Sequence, residues 1–186
     1  MHRRTPAGLG CAGLVLLAGL TLRLEATGDP ATDVFRDNEH RYTLTLASGW
    51  RAHPVPAGSR TPLASFEHRP SGTLLAVSRV DYPNPEAWRE KTLPAYASQV
   101  EEGLRNAFTT YRRVDFRIHK LDIVPALDLA FQYRKPDQRD EIVFMRLLFF
   151  RRYTLLAAMA APATTSRSQK ARHRAVLDSF APYLGN

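Results

Sequence analysis

Beyond the first 26 residues, metal binding and general-base catalysis would have to start from His40, His53, His68, His119 and His173, because the only cysteine, Cys11, lies before them. Metal sites within one helix need ligands a turn apart, as in H-E-x-x-H. No two of these histidines are spaced i, i+4, so no metal site is expected. His119 falls on the charged side of an alternating stretch. His173 lies beside Val176 and Leu177 on the apolar side of a helical stretch, which suits a boundary histidine with local hydrogen bonds.

Nucleophilic chemistry has equally little to work with. The chain lacks a G-x-S-x-G turn, and Ser48, Ser78 and Ser179 fall at turns or element ends with no base patterned beside them. Glycoside chemistry needs two carboxyl groups in one cleft. The dense acidic spots, Glu101-Glu102 and Asp137/Asp140/Glu141, read instead as a solvated helix face and a hairpin. Gly49, Gly58 and Gly72 sit in separate turns, so no phosphate-cradling loop is expected. The expectation is a protein that is not an enzyme, with no catalytic residue, metal or cofactor.

Arg146 is the exception to this plainness. It interrupts Ile142–Phe150, a stretch otherwise apolar on both faces. A guanidinium there must find a partner, because an unpaired buried charge costs several kcal/mol. A hairpin that sets Asp128 opposite Arg146 also sets Leu127 against Leu147, Leu129 against Met145 and Phe131 against Val143. A one-residue slip mixes the faces. The pair reads as an internal ion pair or, alternatively, as the floor of an anion-binding groove. Arg167, Lys170 and Arg174 share the solvent side of the last helix and are candidate contacts to an anionic surface.

The elements that position these residues are set by periodicity. Tyr42–Leu46 alternates strictly and ends at the turn Ala47-Ser-Gly-Trp50, with 51–63 expected as a proline-rich loop. Strands are expected over 63–68 and 73–80, joined by the turn Pro70-Ser71-Gly72. Asn84-Pro85-Glu86 marks a helix start, and Pro94 splits the helical stretch into two segments. Tyr96, Val100, Leu104 and Phe108 give the second segment a buried face, with Glu101, Glu102 and Arg105 away from it. From Tyr111 the pattern is strand-like: Val114, Phe116 and Ile118 on one side, then Leu127, Leu129, Phe131 and Tyr133. Ile142–Phe150 belongs at the centre of a sheet covered on both sides, and after it come Tyr153–Ala161 and a helix over 165–180. The fold class is α+β: an α/β/α sandwich with a central antiparallel sheet.

Arg3 and Arg4 precede an apolar run, Ala7 to Leu22, that Arg23 ends. This layout is expected to be a signal peptide over 1–26, with 27–33 a flexible lead-in and 34–186 one domain. The run is short for a membrane span, although Leu24 suits a processing site poorly and an uncleaved anchor is the rival reading. Cys11 comes too early in the run for a lipoprotein box. The protein is therefore expected to be periplasmic or secreted, or membrane-anchored if the segment stays. Removing Arg3, Arg4, Arg23 and Glu25 takes 26 basic and 18 acidic residues to 23 and 17, and the net charge from +8 to +6. Such a balance suits anionic lipid or an acidic protein face, and no motif accompanies it to suggest nucleic acid.

Tyr42-Thr-Leu-Thr-Leu46 with Gly49-Trp50, Pro125–Phe131, Tyr153–Ala158 and Val176–Phe180, in this order, resemble the PsbP/DcrB-like superfamily. The resemblance spans about residues 34–183. It implies an α/β/α sandwich and a non-enzymatic accessory or adaptor role, since members include extrinsic photosynthetic subunits, envelope lipoproteins and effector chaperones. This chain departs from the lipidated members in lacking a lipobox, and from the cytoplasmic chaperones in its export signal. The expected function is an exported binding or accessory protein with a protein partner in an envelope or membrane assembly. The alternatives are an envelope hydrolase with a scattered site and an anionic-lipid-binding surface protein.

Overall fold

A seven-stranded antiparallel sheet divides the core into two apolar compartments. The computed structural model describes residues 33–53, 55, 62–82 and 93–183. The expected signal peptide, nearly all of the lead-in and the helix start at 84–86 lie outside them. The elements are β1 (Asp33–Asp37), β2 (Tyr42–Leu46), β3 (Trp50–His53), β4 (Ala64–His68), β5 (Thr73–Asp81), α1 (Leu93–Ala107), β6 (Arg112–Leu121), β7 (Val124–Arg134), β8 (Asp140–Phe149), β9 (Tyr153–Pro162), α2 (Arg167–Asp178) and β10 (Ala181–Pro182).

The large sheet runs β3-β4-β5-β9-β8-β7-β6, and β1, β2 and β10 form a separate three-stranded sheet. Leu127, Leu129 and Phe131 of β7 and Val143, Met145 and Leu147 of β8 face α1, where they pack with Leu93, Ala97 and Leu104. Ala126, Ala130, Ile142, Phe144 and Leu148 face the other way, against Tyr42 and Leu44 of β2 and Val176, Leu177 and Phe180 at the end of α2. Alternation along a strand sends neighbouring side chains to opposite faces, so a strand covered on both sides must be apolar throughout. β8 sits inside the sheet between β7 and β9 and is buried on both faces, as its sequence requires.

Several local expectations are corrected. The segment 51–63 is not wholly loop: Trp50–His53 pairs with β4 as the edge strand β3. Asp33, the end of the expected lead-in, opens β1, which pairs with β2 in full register. The expected second helical segment is α1, with Pro94 in its first turn, where a missing N–H costs nothing, while the first segment lies outside the described residues. In β6 the register shifts between Arg113 and Asp115, and this bulge turns Val114 out to solvent instead of onto the face of Phe116. Glu101 is buried within α1 rather than solvated, because it meets Arg113 of β6.

Candidate functional site

Among the described residues, three clusters gather the charged and histidine groups of the interior. The first is the sheet centre. Asp128 lies opposite Arg146 in the β7–β8 register, with Leu127, Leu129 and Phe131 opposite Leu147, Met145 and Val143. Arg146 donates from Nε to Asp128 Oδ1 at 2.6 Å and from Nη2 to Oδ2 at 2.9 Å, a bidentate fork. Nη2 also reaches Asp178 Oδ1 at 2.8 Å, and Nη1 reaches the backbone oxygens of Asp178 at 2.7 Å and Leu177 at 3.4 Å. A guanidinium has five N–H donors, and all five have acceptors here.

This arrangement gives Arg146 a second role. The last turn of α2 carries no basic residue of its own and ends on Asp178, an unfavourable charge at the negative end of a helix dipole. Arg146 reaches across from the sheet and supplies that missing cation, binding the terminal carbonyl of Asp178 and sharing that of Leu177 with the Phe180 N–H. The Ser179 side chain completes the end, donating to Val176 O and accepting from the Thr45 N–H at 2.8 Å, which ties α2 to β2.

Asp128 is shared. Arg117 Nη2 approaches Oδ2 at 2.7 Å, and His119 Nε2 lies 3.0 Å from the same oxygen. Burial pushes the Asp128 carboxyl up, but hydrogen bonds from Arg146 and Arg117 outweigh it and hold the group at about 2. The carboxylate is therefore ionised at any ordinary pH and has no role as a proton carrier.

The second meeting place joins α2 to the β4–β5 turn. Ser71 Oγ lies 2.7 Å from His68 Nδ1, 3.1 Å from His173 Nε2 and 2.8 Å from Thr73 Oγ1, which is itself 3.1 Å from His173 Nε2. The two imidazoles stand edge to face at 4.9 Å, and the Trp50 ring touches both, at 5.5 Å from His68 and 5.6 Å from His173. His173 thus has long-range partners on β5 and its turn, not the local ones expected for a boundary histidine. Desolvation lowers its basicity, His68 and Arg172 lower it further, and its pKa falls to about 4. Burial and Arg172 lower that of His68 as well.

A serine between two histidines invites comparison with a nucleophile. No carboxylate bonds either imidazole among the described residues, and Ser71 Oγ is ringed by His68, His173 and Thr73. Catalytic dyads need a base oriented by a third group and open space for the reacting atom. This cluster acts as a clamp. Gly49 makes room for it: its φ of +87° suits glycine, and a Cβ there would come 2.9 Å from His68 Nε2.

The third place is Glu101 on α1. Its carboxylate accepts from Arg105 at 2.9 Å, Arg113 at 3.0 Å and Tyr111 at 3.2 Å. Burial raises its pKa, but these three donors win and the net shift is downward. Glu101 faces inward because β6 brings Arg113 beneath the helix, which periodicity along α1 does not reveal.

The candidate binding residues on α2 are not equally available. Lys170 Nζ donates to Ala163 O at 2.6 Å, and Arg174 pairs with Asp115 of β6 at 2.6 Å, while Arg167 is exposed at the first turn. A cavity of about 230 Å³ opens between the small sheet and β3–β4, with Phe35, Leu46, Trp50 and Phe66 in its wall and Asp33 its sole charged residue. It is apolar and holds no pair of groups able to move a proton. No helix among the described residues is long and apolar enough to cross a membrane.

Comparison with solved structures adds the fold. A cyanobacterial PsbP (CyanoP) from Synechocystis sp. PCC 6803 superposes with a TM-score of 0.58 at 13% identity, covering 87% of this chain and 98% of that one. The chain has a PsbP-like fold. LpqN, involved in cell envelope biogenesis of Mycobacterium tuberculosis, is also similar, with a TM-score of 0.54 at 13% identity over 81% of this chain and 91% of that one. No family model and no curated protein matches the sequence. The α+β sandwich expected from the sequence pattern is the one observed. At this identity the likeness concerns the fold, and function has to be argued from the chain itself.

Proposed function

We propose that this protein is an exported, non-enzymatic accessory protein whose working part is its surface, acting with a protein partner in an envelope or membrane assembly. One observation carries the reading. The main polar clusters are spent on internal partners: Arg146 fills all five donors inside the fold, and Ser71 Oγ is held by His68, His173 and Thr73. Residues arranged in this way hold layers together and leave recognition to the exterior. LpqN, which shares the fold, is involved in cell envelope biogenesis, and residues 1–26 have the layout of an export signal.

Affinity capture from the native envelope tests the proposal. Recovery of the processed chain with a defined set of envelope proteins supports it. Turnover of ester, peptide or glycoside substrates by the purified protein, abolished in Ser71→Ala or His173→Ala, overturns it in favour of a hydrolase. Retention on anionic vesicles that disappears at high salt and in Arg167→Glu would instead make lipid the partner.

A further inference from the structure

β6 ends the large sheet, and its outer side pairs with no strand among the described residues. An antiparallel edge strand turns every second residue's N–H and C=O outward, which makes it a template for another strand. At 10 residues, β6 is long for an edge, whereas the opposite edge, β3, has 4. The apolar surface is concentrated here too. Four large hydrophobic residues are exposed among the described residues; Val114, Ile118 and Ile123 lie on β6 or its turn, and only Val34 lies elsewhere. Ile123 is 73% exposed at the β6–β7 turn and Val114 is 50% exposed at the bulge.

The charge of this edge selects among occupants. β6 carries Arg112, Arg113, Arg117 and Lys120 against Asp115, with Asp122 in the turn beyond it. The carboxylates beside it are already shared or taken: Glu101 serves Arg105 and Arg113, Asp128 serves Arg117 and Arg146, and Asp115 is held by Arg174. Arg113 and Arg117 keep about half their side-chain surface in solvent. A second copy of β6 pairing with this edge brings cations against cations, which disfavours a homodimer through it. An extended strand with acidic side chains gains the backbone ladder, the aliphatic contacts and the opposite charge together.

We infer that β6 is the docking edge for an extended acidic segment of a partner protein, added as an eighth strand beside Ile118. This rests on the proposed accessory role and gives it a surface. The bulge at Val114 sets one end of the added strand, since it breaks the regular spacing of the outward groups.

Hydrogen exchange along β6 tests it, with three probes added to the full processed chain: a peptide alternating glutamate and valine and as long as β6, its lysine–valine counterpart, and phosphatidylglycerol vesicles. The glutamate–valine peptide is expected to slow exchange of the outward amides of β6, less so at high salt. Ile118→Asp is expected to weaken that binding about tenfold, the worth of one partly buried aliphatic contact. Ile123→Asp, at a more exposed position, serves as the second variant if the first melts early. No protection by the acidic peptide overturns the inference, as does equal protection by the lysine peptide. Vesicle binding that Ile118→Asp or Ile123→Asp abolishes also overturns it and assigns the patch to lipid. Envelope capture unaffected by either variant overturns the edge while leaving the accessory role standing.

Discussion

Replacing Arg146 by alanine is expected to cost about 3–5 kcal/mol of folding stability, the range for orphaning one member of a buried ion pair. The structure supports that magnitude from two sides. Asp128 titrates at about 2 in the folded protein against 3.8 for the free side chain, which corresponds to about 2 kcal/mol of native stabilisation at neutral pH. Because the folded value is the lower one, this part is fully present above the unfolded pKa and is lost as pH falls from 3.8 through 2. The guanidinium at the α2 terminus, with its bonds to Leu177 O and Asp178 O, adds about 1–2 kcal/mol in a partly buried setting. Urea unfolding of wild type and Arg146→Ala at about pH 7 and again at about pH 2.5 measures both parts. The gap between the two proteins should narrow at the lower pH, because Asp128 is protonated in the unfolded chains there and wild type has lost part of this stabilisation, while the variant no longer has a buried carboxylate held ionised by Arg146. Arg146→Met combined with Asp128→Leu should cost less than Arg146→Ala alone, since no buried charge is then left unpaired and the partners that remain, Arg117 and Asp178, are about half exposed. A loss below about 1 kcal/mol at neutral pH, or a gap independent of pH, would refute the ion-pair reasoning.

The other sites give three more expected outcomes. His173 titrates near 4 when folded and 6.5 when free, so stability should be complete above pH 6.5 and fall by about 3 kcal/mol as pH drops to 4; His173→Gln should flatten that dependence in denaturant melts, and Trp50 emission should report the loosening. Glu101→Ala should lower stability by about 1–2 kcal/mol, because Arg113, Arg105 and Tyr111 lose a shared acceptor between α1 and β6; thermal unfolding that leaves α1 as protected as before would count against this. Gly49→Ala should cost more than Gly72→Ala: both positions have positive φ, on the order of 1–2 kcal/mol of strain, but only at Gly49 does a Cβ collide with His68, so equal losses in paired melts would contradict the clamp geometry.

Features that depend on neighbours along the chain were legible in the residues themselves. The alternation of β2 and β7 and the apolar runs of β8 and β9 announced the sheet, and the hairpin register came with it because setting Asp128 against Arg146 keeps the apolar faces together, whereas a one-residue slip mixes them. Val176, Leu177 and Phe180 marked the core side of α2 for the same reason. Features that depend on distant segments came only with packing. It set β5 beside β9 and moved β2 out of the large sheet into a separate one, choices that periodicity leaves equivalent. It joined His173 to Ser71 and Thr73 about a hundred residues away and turned Glu101 inward over Arg113. It brought Asp178 and the end of α2 onto Arg146, so the pair expected from two strands became a network of three elements. A strand's face is set by a repeat of two residues, but the partner of a buried charge is set by which elements pack together.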